Sequence, residues 1–365
     1  MRKQADKVLL LLTILLIGAG LFIFLSASLG IITRGNDFLI RLVATQLGLG
    51  VILGGIALLL TARIPYKKLR AFAPHVYIAS LLATLLVFIP GVGLSLGGAT
   101  RWITIGSFSF QPAEFLKLGT VLFLAFALSY GHAKKKKASW LLGAFFLIVT
   151  IAVLPLIFQP DTGTILVLGA ATFAMLFVSG ISWRVIGVAL LIPVLLLAGL
   201  VMTRPYVEAR LLTFLNPAVD PLGAGYQIQQ SHIAIGSGGL TGRGFGQSVQ
   251  KFNYLPEPIS DSIFAVYAEE FGFVGASLLI ALFLFFGLRG LGVARKAKDR
   301  FGGLLATGIV ILLLAQAFTN IGAMLGVIPL TGLPLTFVSH GGTALLFALV
   351  AVGILLSISK YQTTR

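Results

Sequence analysis

The sequence predicts an all-α, polytopic membrane protein of ten transmembrane helices, with both termini cytoplasmic and a large extracytoplasmic loop between helices 7 and 8. Three observations predict it. The 365-residue chain is 58% hydrophobic and only 10% charged, with strongly positive mean hydropathy, so the bilayer supplies its apolar surroundings. Apolar runs of about 20 residues, the length a helix needs to cross roughly 30 Å of hydrocarbon, recur ten times. Basic residues gather in short clusters in alternate connections, the pattern of loops held on the cytoplasmic side.

In order, the runs cover 8–28, 38–62, 73–92, 112–131, 139–158, 162–180, 183–202, 262–288, 303–328 and 341–358, within a single transmembrane domain, 1–365. The first is read as a retained span and not a cleaved signal, because it flows straight into a multi-span pattern. With ten spans, Arg2, Lys3 and Lys7, Arg63 to Arg70, Lys134 to Lys137, Arg184, Arg295 to Arg300, Lys360 and Arg365 all fall on one side, with Asp6 and Asp299. Asp37, Glu114, Asp161, Glu208, Asp220, Glu257, Asp261, Glu269 and Glu270 lie outside or within the membrane, which places the polar chemistry on the extracytoplasmic side. The net charge of +16 therefore faces anionic headgroups and not nucleic acid. The absence of cysteine excludes disulfides, thiolate metal sites and cysteine nucleophiles.

Two outer connections are long. The first, about 93–111, mixes glycine, hydroxyl residues and aromatics suited to the membrane interface; the second, 203–260, contains Tyr226 to Ile235, whose helical periodicity is too short to cross the bilayer. It leads into the densest stretch of the chain, Tyr254 to Glu270, with two prolines and four carboxylates. Pro256 and Pro258 cannot sit inside a helix, so the next helix is expected to begin near Ser260 or Asp261, capped by one of their side chains. Glu269 and Glu270 then fall roughly 12 Å further along, at a depth where charge is costly and usually functional.

Several constellations carry polar chemistry. Glu114 and Lys117, spaced i and i+3 after Pro112, share a helix face, either as a neutralising pair or as part of a polar pocket beside the Asp261 loop. Gly236 to Gly246 reads as a flexible loop or as an anion nest of backbone N–H groups. Arg101, Arg204, Arg210, Arg243 and Lys251 all lie in the outer connections, where together they suit a phosphate or pyrophosphate. The histidines His75, His132, His232 and His340 lack metal-ligand spacing and read as structural.

Four motifs in one topology resemble the FtsW/RodA (SEDS) family: Gln111-Pro-Ala-Glu-Phe-Leu-Lys117, Gly225 to Lys251, the Leu-Pro-Glu257 segment with Asp261 and Glu269-Glu270, and Pro329 to Gly342. The resemblance covers all ten spans. It departs at His340, where the family commonly has tyrosine, and at Thr343-Ala344, in place of a small hydroxyl pair. Gly244 to Lys251 looks like the division branch, whereas Gln229 to Gly239 is shared with the elongation branch.

The resemblance implies a peptidoglycan glycosyltransferase that polymerises lipid II at the outer face of the bacterial cytoplasmic membrane. Its implied partners are a class B penicillin-binding protein and other divisome or elongasome membrane proteins. Asp261 matches the family's essential aspartate and Glu257 the acid of its Leu-Pro-Glu motif, with Glu114 as a further supporting acid. Because a pyrophosphate leaves readily, one carboxylate suffices: Asp261 is expected to act as general base in an inverting transfer. Arg101, Arg210, Arg243 and Lys251 are expected to hold the pyrophosphate, and Lys117, Gln230, Ser231 and Ser339 to line the pocket. A divalent cation, magnesium or manganese, is left open, and no organic cofactor is expected. A lipid II flippase and a non-catalytic scaffold are the alternative functions.

Overall fold

A computed structural model describes residues 4–30, 40, 42–96, 99–105, 108–203, 205–219 and 223–362; the expectations at Arg2, Lys3, Asp37, Arg204, Asp220 and Arg365 lie outside the described residues. Each apolar run forms a helix because nothing in the hydrocarbon region replaces internal hydrogen bonding of the backbone. In chain order these are α1 (Lys7–Ser28), α2 (Leu42–Arg63), α3 (Tyr66–Phe88), α4 (Pro112–Ala133), α5 (Ala138–Phe158), α6 (Thr162–Val178) and α7 (Trp183–Thr203). Two short helices, α8 (Pro205–Leu215) and α9 (Ala224–Ser237), occupy the long outer connection. Then come α10 (Ile263–Arg295), α11 (Arg300–Met324) and α12 (Gly342–Ser359).

Burial separates an inner group from an outer one. Over their most apolar stretches α4, α11 and α12 are 78%, 72% and 78% buried, against 28–33% for α1, α2, α3, α5 and α10. The outer helices turn Leu, Ile and Phe side chains outward, as lipid contact allows. Close backbone approach supplies the packing that the hydrophobic effect cannot supply in lipid. At Gly353 of α12, a Cβ would collide with the Leu58 carbonyl and Thr61 hydroxyl of α2.

The first outer connection, outside the spans, carries the only strands among the described residues. It forms a three-stranded antiparallel sheet of β1 (Gly93–Leu96), β2 (Ala99–Ile105) and β3 (Phe108–Phe110), with Ile103 opposite Gly93 on one side and Phe110 on the other. The start of α10 differs from the expectation. The helix begins at Ile263 with Ser262 as its N-cap residue, and neither Ser260 nor Asp261 caps it. Glu257 turns the preceding chain at φ 48°, and its carbonyl accepts the N–H groups of both Ser260 and Ser262, which delays the helix by two to three residues.

A break in α10 changes the setting of its two glutamates. Gly272 takes φ 63°, so residues 263–271 form a short helical arm ahead of the long span. A Cβ at Gly272 would strike the Leu240 carbonyl and the Gly242 N–H, which restricts this position to glycine. The 238–252 loop docks on that arm: Arg243 and Gly244 donate their N–H groups to the carbonyls of Glu269 and Glu270.

Candidate active site

At the N-terminal end of α10 lies a cavity of about 100 Å³, lined by Arg210, Gln227, Asp261, Asn320, Thr331 and Gly332 among others. Five elements converge there because Asp261 sits in a loop that is bonded on every side. Asn320 of α11 donates its amide to the Asp261 and Leu333 carbonyls, both at 2.7 Å. Gln227 of α9 donates to the Ser262 hydroxyl at 3.0 Å. The Ser339 hydroxyl donates to the Ser260 carbonyl at 2.5 Å, and the His340 N–H donates to the Ile259 carbonyl at 2.8 Å. Arg210 of α8 is anchored on the Leu330 carbonyl at 2.8 Å.

Asp261 keeps a partly open face on this cavity. Its surroundings push its pKa up from 3.8 to about 6: burial contributes most, the Glu257 charge adds to it, and Arg210 and Arg101 oppose it. At neutral pH the carboxylate is therefore mostly ionised yet more basic than an ordinary aspartate, a condition that suits proton abstraction. Glu257 is exposed and accepts the Ser260 hydroxyl at 2.9 Å. Arg101 reaches from β2 to the Gln159 and Pro160 carbonyls, which fixes its charge on the same side as Asp261.

The remaining polar residues separate into supporting clusters. Lys117, fully buried, donates to Glu114 at 2.7 Å and to Gln316 at 2.6 Å; Gln316 in turn donates to the Pro334 carbonyl at 3.2 Å. Gln316 and Asn320, one turn apart on α11, thus hold the Leu333-Pro334 corner from two sides, so Glu114 and Lys117 act on the Asp261 loop through α11. Ser231, also buried, donates to the Gln227 carbonyl at 2.8 Å, so it braces α9 without lining the cavity. The Gln230 side chain is half-buried and makes no hydrogen bond among the described residues; Gln227 is the amide that reaches the loop. His340 stacks on Phe24 at 5.9 Å, and burial holds its imidazole below its ordinary pKa.

Lys251 and Arg243, both expected to hold the pyrophosphate, lie apart from the Asp261 cavity. Lys251 is fully buried, 2.7 Å from Glu270 and 3.1 Å from the Ser26 hydroxyl, so its charge is already neutralised inside the protein. Arg243 lies 3.5 Å from Glu269. In the expected nest, Gly236 to Gly246, the Gly242, Arg243 and Gly244 N–H groups go to the carbonyls of Gly238, Glu269 and Glu270, and the Glu269 carboxylate is held by donors just beyond it. Val249 and Gln250 donate to the Glu269 carboxylate at 3.1 and 3.3 Å, and the Ser248 hydroxyl does so at 2.6 Å. The buried charges at 269 and 270 therefore clamp the 238–252 loop to α1 and to the helical arm.

Four contributors escaped the sequence reading: Gln227, Gln316, Asn320 and Thr331. For Gln316 and Asn320 a signal existed, since they are amides four residues apart in an otherwise apolar run. Two atoms on the cavity wall, Asn320 Oδ1 and Thr331 Oγ1, are buried without a hydrogen-bond partner among the described residues. With the Asp261 carboxylate they form a set of hard oxygen donors of the kind magnesium or manganese takes.

Fold and site together define a multi-pass integral membrane protein whose ionisable cavity opens at the end of its helices. The chain belongs to the FtsW/RodA/SpoVE family of cell cycle proteins, whose family model matches residues 6–364. It is 39% identical over 361 residues to the probable peptidoglycan glycosyltransferase FtsW of Geobacter metallireducens, covering 98% of this chain and 95% of that one. It is 40% identical to the stage V sporulation protein E of Bacillus subtilis, over 99% of this chain and 98% of that one. A chain in a structure describing coordination of polymerization and crosslinking by a peptidoglycan synthase complex superposes with a TM-score of 0.79 at 31% identity, covering 98% and 99% of the two chains.

Proposed function

We propose that this chain is a peptidoglycan glycosyltransferase that polymerises lipid II at the outer face of the bacterial cytoplasmic membrane, with Asp261 as its general base. The observation that carries the reading is the setting of Asp261: a carboxylate of raised pKa in a cavity of about 100 Å³, with Arg210 on its wall and the charge of Arg101 nearby. The acceptor sugar hydroxyl gives its proton to an Asp261 Oδ as its oxygen bonds to the anomeric carbon of the donor. The bond from that carbon to the pyrophosphate oxygen breaks, the electron pair leaves with undecaprenyl pyrophosphate, and configuration inverts. Glycosidases need a second carboxyl to protonate an alkoxide, but a pyrophosphate leaves without one. Arg210 and Arg101 stabilise the charge that develops on the leaving group.

A divalent cation fits the same wall. Asp261, Asn320 Oδ1 and Thr331 Oγ1 would hold it, and when bound it neutralises pyrophosphate charge. Its partial protein ligand set matches the habit of magnesium, which keeps waters and substrate phosphates as its other ligands. A class B penicillin-binding protein is the partner this reading assigns, in keeping with the synthase complex that the fold resembles. The 244–251 motif favours the division branch, while Gln229 to Gly239 is shared with the elongation branch.

Purified with that partner, and with moenomycin present to silence unrelated glycosyltransferases, the protein should convert lipid II into glycan polymer with release of undecaprenyl pyrophosphate. Lipid II that is only translocated across vesicles, with no polymer formed, would overturn the reading.

A further inference from the structure

A second cavity, of about 350 Å³, lies at the opposite end of the bundle, lined by Arg70 of α3, Ser129, His132 and Ala133 of α4, and Asp299 to Phe301 at the start of α11. The 25 residues of α11 separate it from the Asp261 cavity. We propose that it is a phosphate-binding site, filled by the headgroup of an anionic lipid.

Its charge is the first argument. Arg70 and Arg300 are both exposed, and neither forms an ion pair or side-chain hydrogen bond among the described residues. The one carboxylate on the wall is already committed: Asp299 accepts the Tyr66 hydroxyl at 2.6 Å and the Gly302 N–H at 2.8 Å. Two guanidinium forks therefore face a recess whose acid is occupied, and such forks match the oxygens of a phosphate. Lys67 and Lys68 on the same turn as Arg70, and Lys134 to Lys137 just after α4, extend the positive field around the mouth.

Its depth is the second argument. Tyr130 and Trp140, both partly exposed, face each other at 6.4 Å between the end of α4 and the start of α5. Exposed aromatics of this kind sit at the level of lipid headgroups. Phe301 and Ala133 give the cavity an apolar side, and its volume lies in the range of about 300–1,000 Å³ typical of small-ligand sites. Basic pockets between membrane helices on the positive side are suited to anionic headgroups, whereas a zwitterionic lipid would bring its own cation to the arginines.

The test is thermal stability, with native mass spectrometry, of the full chain in uncharged detergent. Phosphatidylglycerol, phosphatidylcholine and inorganic pyrophosphate are added separately. Phosphatidylglycerol should raise Tm and remain bound, while phosphatidylcholine should not. In the double variant R70Q/R300Q its affinity should fall by about thirtyfold, and K136Q, altered in the surrounding field only, should lose about twofold or less. The single variants R70Q and R300Q carry the same test should the double variant not fold. Stabilisation by pyrophosphate without lipid, lost in R70Q/R300Q, supports the site and assigns it to a soluble phosphate. Equal responses to the two lipids with none to pyrophosphate, or an unchanged response in the arginine variants, would overturn the proposal.

Discussion

A general base whose pKa lies at about 6 leaves a signature in the pH dependence of the rate. For Asp261 the ionised fraction is about 90% at pH 7 and about 10% at pH 5, so kcat/KM should fall close to tenfold between those values. An aspartate at its ordinary 3.8 would remain about 90% ionised at pH 5, and the rate would barely change. The causes of the shift supply internal controls. Glu257→Gln removes a charge that raises the pKa and should move the acid limb to lower pH, while Arg210→Gln removes one that lowers it and should move the limb to higher pH. Initial rates of polymer formation from saturating and limiting lipid II, measured from pH 5 to 8 in nanodiscs of neutral lipid, give the profile. A rate that stays flat to pH 5, or variants that move the limb in the opposite directions, would refute the reasoning. Stability follows the same shift with a definite sign. The folded carboxyl holds its proton more tightly than the unfolded one, so the stability it contributes is present below pH 3.8 and lost as pH rises through about 6.

The buried clusters give three further predictions. Lys117→Met leaves Glu114 buried without its cation and should cost about 3–5 kcal/mol, read as a large fall in Tm, with Glu114→Gln in the same chain restoring much of it. Lys251→Met should behave alike and be rescued by Glu270→Gln; the KM for lipid II of that double variant should stay near wild type, because Lys251 serves the 238–252 clamp and not the donor. A marked rise in its KM would restore Lys251 to the substrate site. Asn320→Ala removes the amide that ties Asp261 to Leu333, leaving two carbonyls to find other donors. It should lower stability by about 1–3 kcal/mol and lower kcat more than it raises KM; unchanged kcat would show that the loop does not depend on this tie.

What the sequence disclosed, and what it hid, follows from the range of the interactions involved. The helices could be read because each is a local run of apolar residues, and eight of them among the described residues are long and apolar enough to cross a membrane. The three strands between Gly93 and Phe110 could not be read so, since β3 has only three residues and no clear alternation. The start of α10 falls two to three residues beyond the expected Ser260 or Asp261 because a carbonyl turn at Glu257, not a side-chain cap, ends the loop. Lys251 looked available in an outer connection. Its true partner, Glu270, returns to it through the docked loop and the break at Gly272, a backbone feature without a local signal beyond the glycine itself. The i, i+4 pair Gln316 and Asn320 shows the reverse case, a legible pattern whose meaning depended on where the 329–341 loop would lie.

The most direct measurement of the central claim is polymer formation from lipid II by Asp261→Asn, folded, paired with its penicillin-binding partner and compared with wild type at pH 7. Loss of the base should lower the rate by about 10²- to 10⁴-fold, while lipid II binding is retained and Tm rises, because a costly buried charge has been removed. Polymer made at close to the wild-type rate would contradict the assignment of Asp261 as the base.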